Sequence, residues 1–140
     1  MTEAVVDASV ALSWVLPDER CPLANDVFER HMQGELDLIA PTLWQYEVVN
    51  GLRRAVVQGR IGRAEGNRSL QTLLGMELQL ASFEDLAARA WEVSFARSLT
   101  VYDASYVALA EARECDLYTC DVELAGAVTD VVSVRLIRAE

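Results

Sequence analysis

Four acidic residues carry the chemical interest of this chain. Asp7 closes the apolar run "EAVVD", Glu47 lies early in "LWQYEVVNGLRRAVVQGR", Asp103 lies in "TVYDASYVALA", and Asp121 closes "DLYTCD". Carboxylates brought together repel and raise one another's pKa. A hard divalent cation is the usual remedy, and Mg²⁺ accepts oxygen ligands while keeping several waters. A metal held in this way activates water and clamps a phosphate for in-line displacement. A plainer reading stands beside this one. Asp at a helix start is a favoured N-cap, which would account for Asp7, Asp103 or Asp121 singly, and Glu47 alone reads as a solvated helix residue. The joint pattern favours a site: three acids at strand ends and one on a helix, on one edge of one sheet.

The elements that must position these acids follow from pattern. "EAVVDAS" reads as a buried first strand, and "SVALSWVL" as a short helix stopped by Pro17. A turn at 17–19 precedes a helix over "CPLANDVFERHMQGE", with Leu23, Val27 and Phe28 on one face and Gly34 as its stop. "LDLIAP" is a second strand. Thr42 then caps a long helix whose apolar face is Leu43, Tyr46, Val49, Leu52 and Val56. Glu47 follows Tyr46 directly, so it points inward or to a boundary, where charge is costly unless compensated. A helix over "IGRAEGNRSLQTLLG" carries Arg on its outer face, and "MELQLAS" is a third strand. Ser82 opens the next helix, with Asp85 in a capping-box variant. Asp103 sits where an extended piece, "LTVY", enters a further helix. "DLYTCD", "VELAGAVTD" and "VSVRLI" complete the chain as strand, helix and strand.

This alternation predicts an α/β sandwich with a central, mainly parallel sheet of about five strands. No linker divides it, so residues 1–140 are expected to form one domain. Ligands of such sheets gather outside the carboxyl ends of the strands. The two Asp-Ala-Ser triplets, at Asp7 and Asp103, differ in their flanks and do not mark a repeat.

Composition removes several alternatives. The formal net charge is −10, which argues against binding polyanions over the whole surface. The chain has 12 Arg and no Lys, so Schiff-base chemistry, a P-loop and a lysine-dependent phosphoaspartyl site are all excluded. Its single His, His31, reads as an ordinary exposed residue, which leaves no His-based triad and no His-rich zinc site. Cys21, Cys115 and Cys120 form no C-x-x-C pair and are expected to be reduced. With no long apolar run and no basic N-terminal region, a cytoplasmic, membrane-free protein is expected.

At these residues the chain resembles the PIN-domain nucleases, most closely the VapC-type toxins of toxin–antitoxin pairs. "VVDASVALSWVLPDE", "PTLWQYEVVNGLRRA", "TVYDASYVALAEA" and "LYTCDVEL" resemble four segments of that family, in order and over nearly the whole chain. The resemblance implies a PIN-like α/β/α sandwich. It implies that Asp7, Glu47, Asp103 and Asp121 form a catalytic, Mg²⁺- or Mn²⁺-binding site supported by Ser9, Asn50 and Thr119. Asp116 also lies near the fourth position, but Asp121 follows Thr119 and ends its strand, and is preferred. For Ser9 and Thr119 the alternative is simple capping or cross-strand bonding. For Asn50 it is a solvated helix position.

The activity implied is hydrolysis of RNA, leaving a 5′-phosphate and a 3′-hydroxyl, by a homodimer held in check by a small antitoxin. A non-catalytic binding module and a nuclease acting on DNA remain as alternatives. Arg53, Arg54, Arg60, Arg63 and Arg68 form a basic strip that would hold RNA phosphates, form a solvated face, or meet the antitoxin. Trp44, Leu73, Leu74 and Trp91 are each assigned to core or interface, with core preferred.

Overall fold

The computed structural model describes residues 2–138. Its strands are β1 (Thr2–Val6), β2 (Leu36–Pro41), β3 (Gln79–Ala81), β4 (Asp116–Thr119) and β5 (Val134–Leu136). Helices α1 (Ala8–Val15) and α2 (Pro22–Met32) follow β1, with a 3₁₀ turn at Pro17–Glu19 between them. Helices α3 (Leu43–Val57) and α4 (Arg63–Leu74) follow β2. Helices α5 (Phe83–Arg97) and α6 (Val101–Arg113) follow β3, and α7 (Val122–Val128) follows β4.

The sheet runs β3-β2-β1-β4-β5 and every pairing is parallel, so the expected mainly parallel sheet is wholly parallel. Parallel strands need crossovers, and the helices supply them on both faces. Side chains alternate between two apolar layers. Val5, Ile39 and Leu117 join the larger cluster beneath α3–α7. Ala4, Val6, Leu36 and Leu38 join a smaller one with Val10, Ala24 and Val27 of α1 and α2. The chain builds outward from β1 to β3, then returns to lay β4 on the other side of β1. That reversal opens a crevice outside the carboxyl ends of β1 and β4.

Helical phase is where expectation and structure part. On α3 the buried positions are Trp44, Val48, Gly51, Leu52 and Ala55, while Tyr46 is 78% exposed and Val49 lies outside the core. The apolar face is therefore turned by about one residue, because both phases offer apolar side chains and only packing against α1 selects one. Trp44 fills more of the interface than Tyr46 would, and its buried indole N–H finds no partner among the described residues. On α2, Ala24 and Val27 face inward and Leu23 faces solvent. "LTVY" is not extended through Tyr102: α6 begins at Val101, capped by the Thr100 hydroxyl, which accepts from the Asp103 N–H at 3.1 Å. Thr42 and Ser82 hold the N-cap positions of α3 and α5 without a side-chain capping bond. Trp44 and Leu73 are core, but Leu74 and Trp91 are exposed. Among the described residues no helix is long and apolar enough to cross a membrane, and the three cysteines are free.

Candidate active site

Asp7 is the first residue beyond β1 and the N-cap of α1. It is 7% exposed, yet both of its carboxylate oxygens accept hydrogen bonds. Ser9 Oγ donates to Oδ1 at 2.5 Å, and the Val10 N–H donates to the same oxygen at 3.3 Å. Thr119 Oγ1, at the carboxyl end of β4, donates to Oδ2 at 2.5 Å. The N-cap reading of Asp7 holds, and the same carboxylate also accepts from Ser9 and Thr119. Ser9 and Thr119 go further than capping. Ser9 Oγ accepts from the Cys120 N–H at 3.0 Å, and Thr119 Oγ1 accepts from the Asp121 N–H at 3.0 Å. Two hydroxyls therefore stitch the end of β1 to the turn after β4.

That turn delivers Asp121 as the N-cap of α7. Its Oδ1 accepts from the Glu123 and Leu124 N–H groups, leaving Oδ2 free of these bonds. Asp103 sits in the first turn of α6, half-buried, and is not the cap, because Thr100 is. Glu47 is half-buried on the flank of the α3 core face, beside Trp44, Val48 and Gly51. Its boundary position was expected, but for the wrong reason, as Tyr46 faces solvent. Glu47 Oε1 accepts from Tyr106 Oη at 2.6 Å.

The electrostatics tie the four acids together. Burial pushes the Asp7 carboxyl up to about 6; the Ser9, Thr119 and Val10 donors pull it down, and the charge of Asp103 adds to the rise. Asp103 is raised by burial, then by the charges of Asp121 and Glu47. Burial also raises the Tyr106 phenol, reinforced by the Glu47 bond and by the charges of Glu47, Asp7 and Asp103. Among the described residues the ion pairs engage Asp18, Glu19, Glu111, Asp130, Glu3 and Asp116, and none engages these four acids. The crevice thus holds uncompensated negative charge. Asp116, tied to Arg135, stands at the other end of β4, as expected.

An all-carboxylate, oxygen-only donor set fits Mg²⁺ or Mn²⁺ and not a soft metal. Among the described residues no three His, Cys, Asp or Glu side chains close into a ready coordination shell.

The remaining candidates divide. Asn50 is exposed and lines a surface groove with Tyr46, Val49, Arg53 and Leu74, away from any hydrogen bond to the acids among the described residues. Arg53 and Arg63 stand on the rim of a largely apolar groove of about 400 Å³ between α3 and α4. Arg54 and Arg68 are exposed. Arg60 leaves the strip: its guanidinium is committed to Asp18, at 2.7 and 2.8 Å, and to Glu19. His31 is half-buried rather than exposed, its Nδ1 2.9 Å from the carbonyl oxygen of Leu36. Leu36 begins β2, so His31 lies at the opposite edge of the sheet from the acids. Ser105, in the second Asp-Ala-Ser triplet, only donates back to the Tyr102 carbonyl at 2.6 Å. Tyr106 went unnoticed in the sequence, although its spacing of three from Asp103 places both on one helix face.

A wholly parallel α/β fold with acids gathered at its strand-order reversal defines the class: a doubly wound sheet with an acidic edge. The comparisons narrow it. The PIN domain family model matches residues 4–127. A VapC ribonuclease of Mycobacterium bovis is 40% identical over 120 residues, covering 86% of this chain and 87% of that one. The crystal structure of PAE2754 from Pyrobaculum aerophilum aligns with a TM-score of 0.68 at 27% identity, over 94% of this chain and 83% of that one. A toxin–antitoxin complex from Klebsiella pneumoniae shares the fold, with a TM-score of 0.63 at 15% identity, over 98% of this chain and 99% of that one. The chain belongs to the PIN-domain family, in its VapC branch.

Proposed function

We propose that this chain is a Mg²⁺- or Mn²⁺-dependent endoribonuclease and the toxin of a toxin–antitoxin pair. The observation that carries the reading is that Asp103 is coupled by charge to Asp7, Glu47 and Asp121, while none of the four is ion-paired among the described residues. The ribonuclease name of its M. bovis relative supports the same substrate class.

Asp7, Glu47, Asp103 and Asp121 would hold the metal, which supplies water activation and Lewis-acid stabilisation of charge on the scissile phosphate. The protein's part is placement. Ser9, Thr119 and the Val10 N–H fix Asp7 so that its orientation is set before any ligand arrives. Asp121 is aimed by its capping bonds, and Asp103 is the least encumbered of the four. Water is the nucleophile in this reading, with no covalent enzyme intermediate. In this reading Arg53, Arg54 and Arg63 would hold flanking phosphates. The reading includes a small antitoxin partner and a homodimer. An exposed edge-to-face pair, Trp91 and Phe95 at 4.8 Å between ring centroids, supports some interface.

The test is cleavage of a defined RNA panel, and of DNA of the same sequence, by the purified chain in Mg²⁺, in EDTA and as Asp7→Asn. RNA cleavage is expected in Mg²⁺ alone, and the variant should be inactive with an unchanged circular dichroism spectrum. Full activity in EDTA or in the variant would refute the proposal, and cleavage of DNA alone would replace its substrate.

A further inference from the structure

Tyr106 is 1% exposed and lies mid-way along α6, held in the core beneath the sheet. Its hydroxyl reaches out of that core to Glu47, 59 residues away in sequence, at 2.6 Å. Glu47 receives no other side-chain hydrogen bond among the described residues, and Tyr106 offers its hydroxyl to no other group. Asp7 and Asp103 lie within electrostatic reach of the same phenol. We propose that Tyr106 is the positioning residue of the acidic site: it locks Glu47 in the metal-facing orientation without neutralising it. The inference rests on the metal-site reading above.

Glu has three side-chain torsions, and fixing such a long side chain costs up to about 2 kcal/mol of rotamer entropy. Tyr has two and is already immobilised by packing, so the cost on its side is met by the core. The bond occupies Oε1 and leaves Oε2 for the crevice. An arginine in this place would hold Glu47 as firmly, but its charge would compete with the cation. A neutral phenol, whose ordinary pKa is about 10, orients the carboxylate and leaves its full charge available. A plainer role would be for Glu47 merely to satisfy a buried hydroxyl. The two roles differ in what Tyr106→Phe does, because that change removes the hydroxyl and leaves nothing unsatisfied in the core.

Mn²⁺ binding is measured by calorimetry on wild type, Tyr106→Phe, Glu47→Ala and the double variant, with Asp7→Asn and Val107→Ala as references. Val107 is a fully buried α6 residue outside the site, so Val107→Ala loosens the helix without touching Glu47. Tyr106→Phe is expected to weaken Mn²⁺ binding about tenfold, the usual effect of removing a partner that orients a metal ligand. Val107→Ala should stay within about twofold, and Tyr106→Phe should add nothing in the Glu47→Ala background, as coupled residues do. An unchanged Mn²⁺ affinity in Tyr106→Phe, with binding lost in Asp7→Asn, would overturn the positioning role and leave the acidic site standing. Additive losses in the double variant would overturn it too. Absence of Mn²⁺ binding by wild type at millimolar metal would remove the acidic site and this role together. Should Tyr106→Phe not fold, Tyr106→Met deletes the same hydroxyl in a more adaptable side chain.

Discussion

Asp7 shows how one residue carries both fold and chemistry. It caps α1, bridges β1 to β4 through Ser9 and Thr119, and sits where burial lifts its pKa to about 6. An acid whose folded pKa is raised binds its proton more tightly folded than unfolded. Its contribution to stability therefore falls as pH climbs from the unfolded value near 4 to the folded value near 6, and is constant above. In metal-free buffer, Asp7→Asn should match wild type near pH 4 and exceed it at pH 7 by on the order of 2 kcal/mol. Ser9 and Thr119 hydroxyls can rotate to suit the amide, so the bridge survives the change. Thermal melts from pH 4 to 8 with EDTA read this directly. A gap that does not widen between pH 4 and 6, or an Asn variant less stable at pH 7, would contradict the assignment. At neutral pH the same site holds a buried charge that is ion-paired to no arginine among the described residues.

Helix α3 decides where Glu47 points, and a small residue lets it pack closely on α1. Gly51 lies against α1, where an added Cβ would overlap the side chain of Leu12. Gly51→Val should displace the Leu12 side chain, cost about 1–3 kcal/mol by overpacking, and lower cleavage by disturbing Glu47, which lies one helical turn from Gly51. Gly126 in α7 is the control: a Cβ there meets nothing within 4 Å, so Gly126→Ala should stabilise by up to about 1 kcal/mol and leave cleavage unchanged. Chemical denaturation and turnover of a labelled RNA measure both. Equal effects of opposite-sign expectation would show that α3 packing does not set the site. The corrected phase also makes sense of Tyr46 and Val49. They are free of the core and line the groove beside Arg53.

Over the whole molecule, a net charge of −10 coexists with a local basic rim. Arg60 does not belong to it, since Asp18 and Glu19 already hold its guanidinium on the α1–α2 connection. Arg53→Glu and Arg63→Glu should each weaken RNA binding and reduce its salt dependence by roughly one phosphate contact. Arg60→Glu should do neither, because Asp18 and Glu19 already hold that guanidinium. Fluorescence anisotropy over a KCl series, on the inactive Asp7→Asn background, separates them. RNA affinity indifferent to both rim substitutions would make the strip a solvated face.

The order of strands and helices was legible because each rests on local patterns: apolar runs, Pro17 and Gly34 as stops, Thr and Ser before helices. The four acids were legible as residue types beside those elements, and their grouping in a family pattern came from short motifs. Helical phase was not legible on α3, where Trp44 and Val48 compete with Tyr46 and Val49 on equal apolar terms. Nor were the pairings that make the site a site. Thr119 reaches Asp7 across 112 residues, Tyr106 reaches Glu47 across 59, and Arg60 turns to Asp18 across 42. Each depends on which strands and helices become neighbours. That is decided by burying both faces of β1 between β2 and β4, which no local stretch of the chain encodes alone.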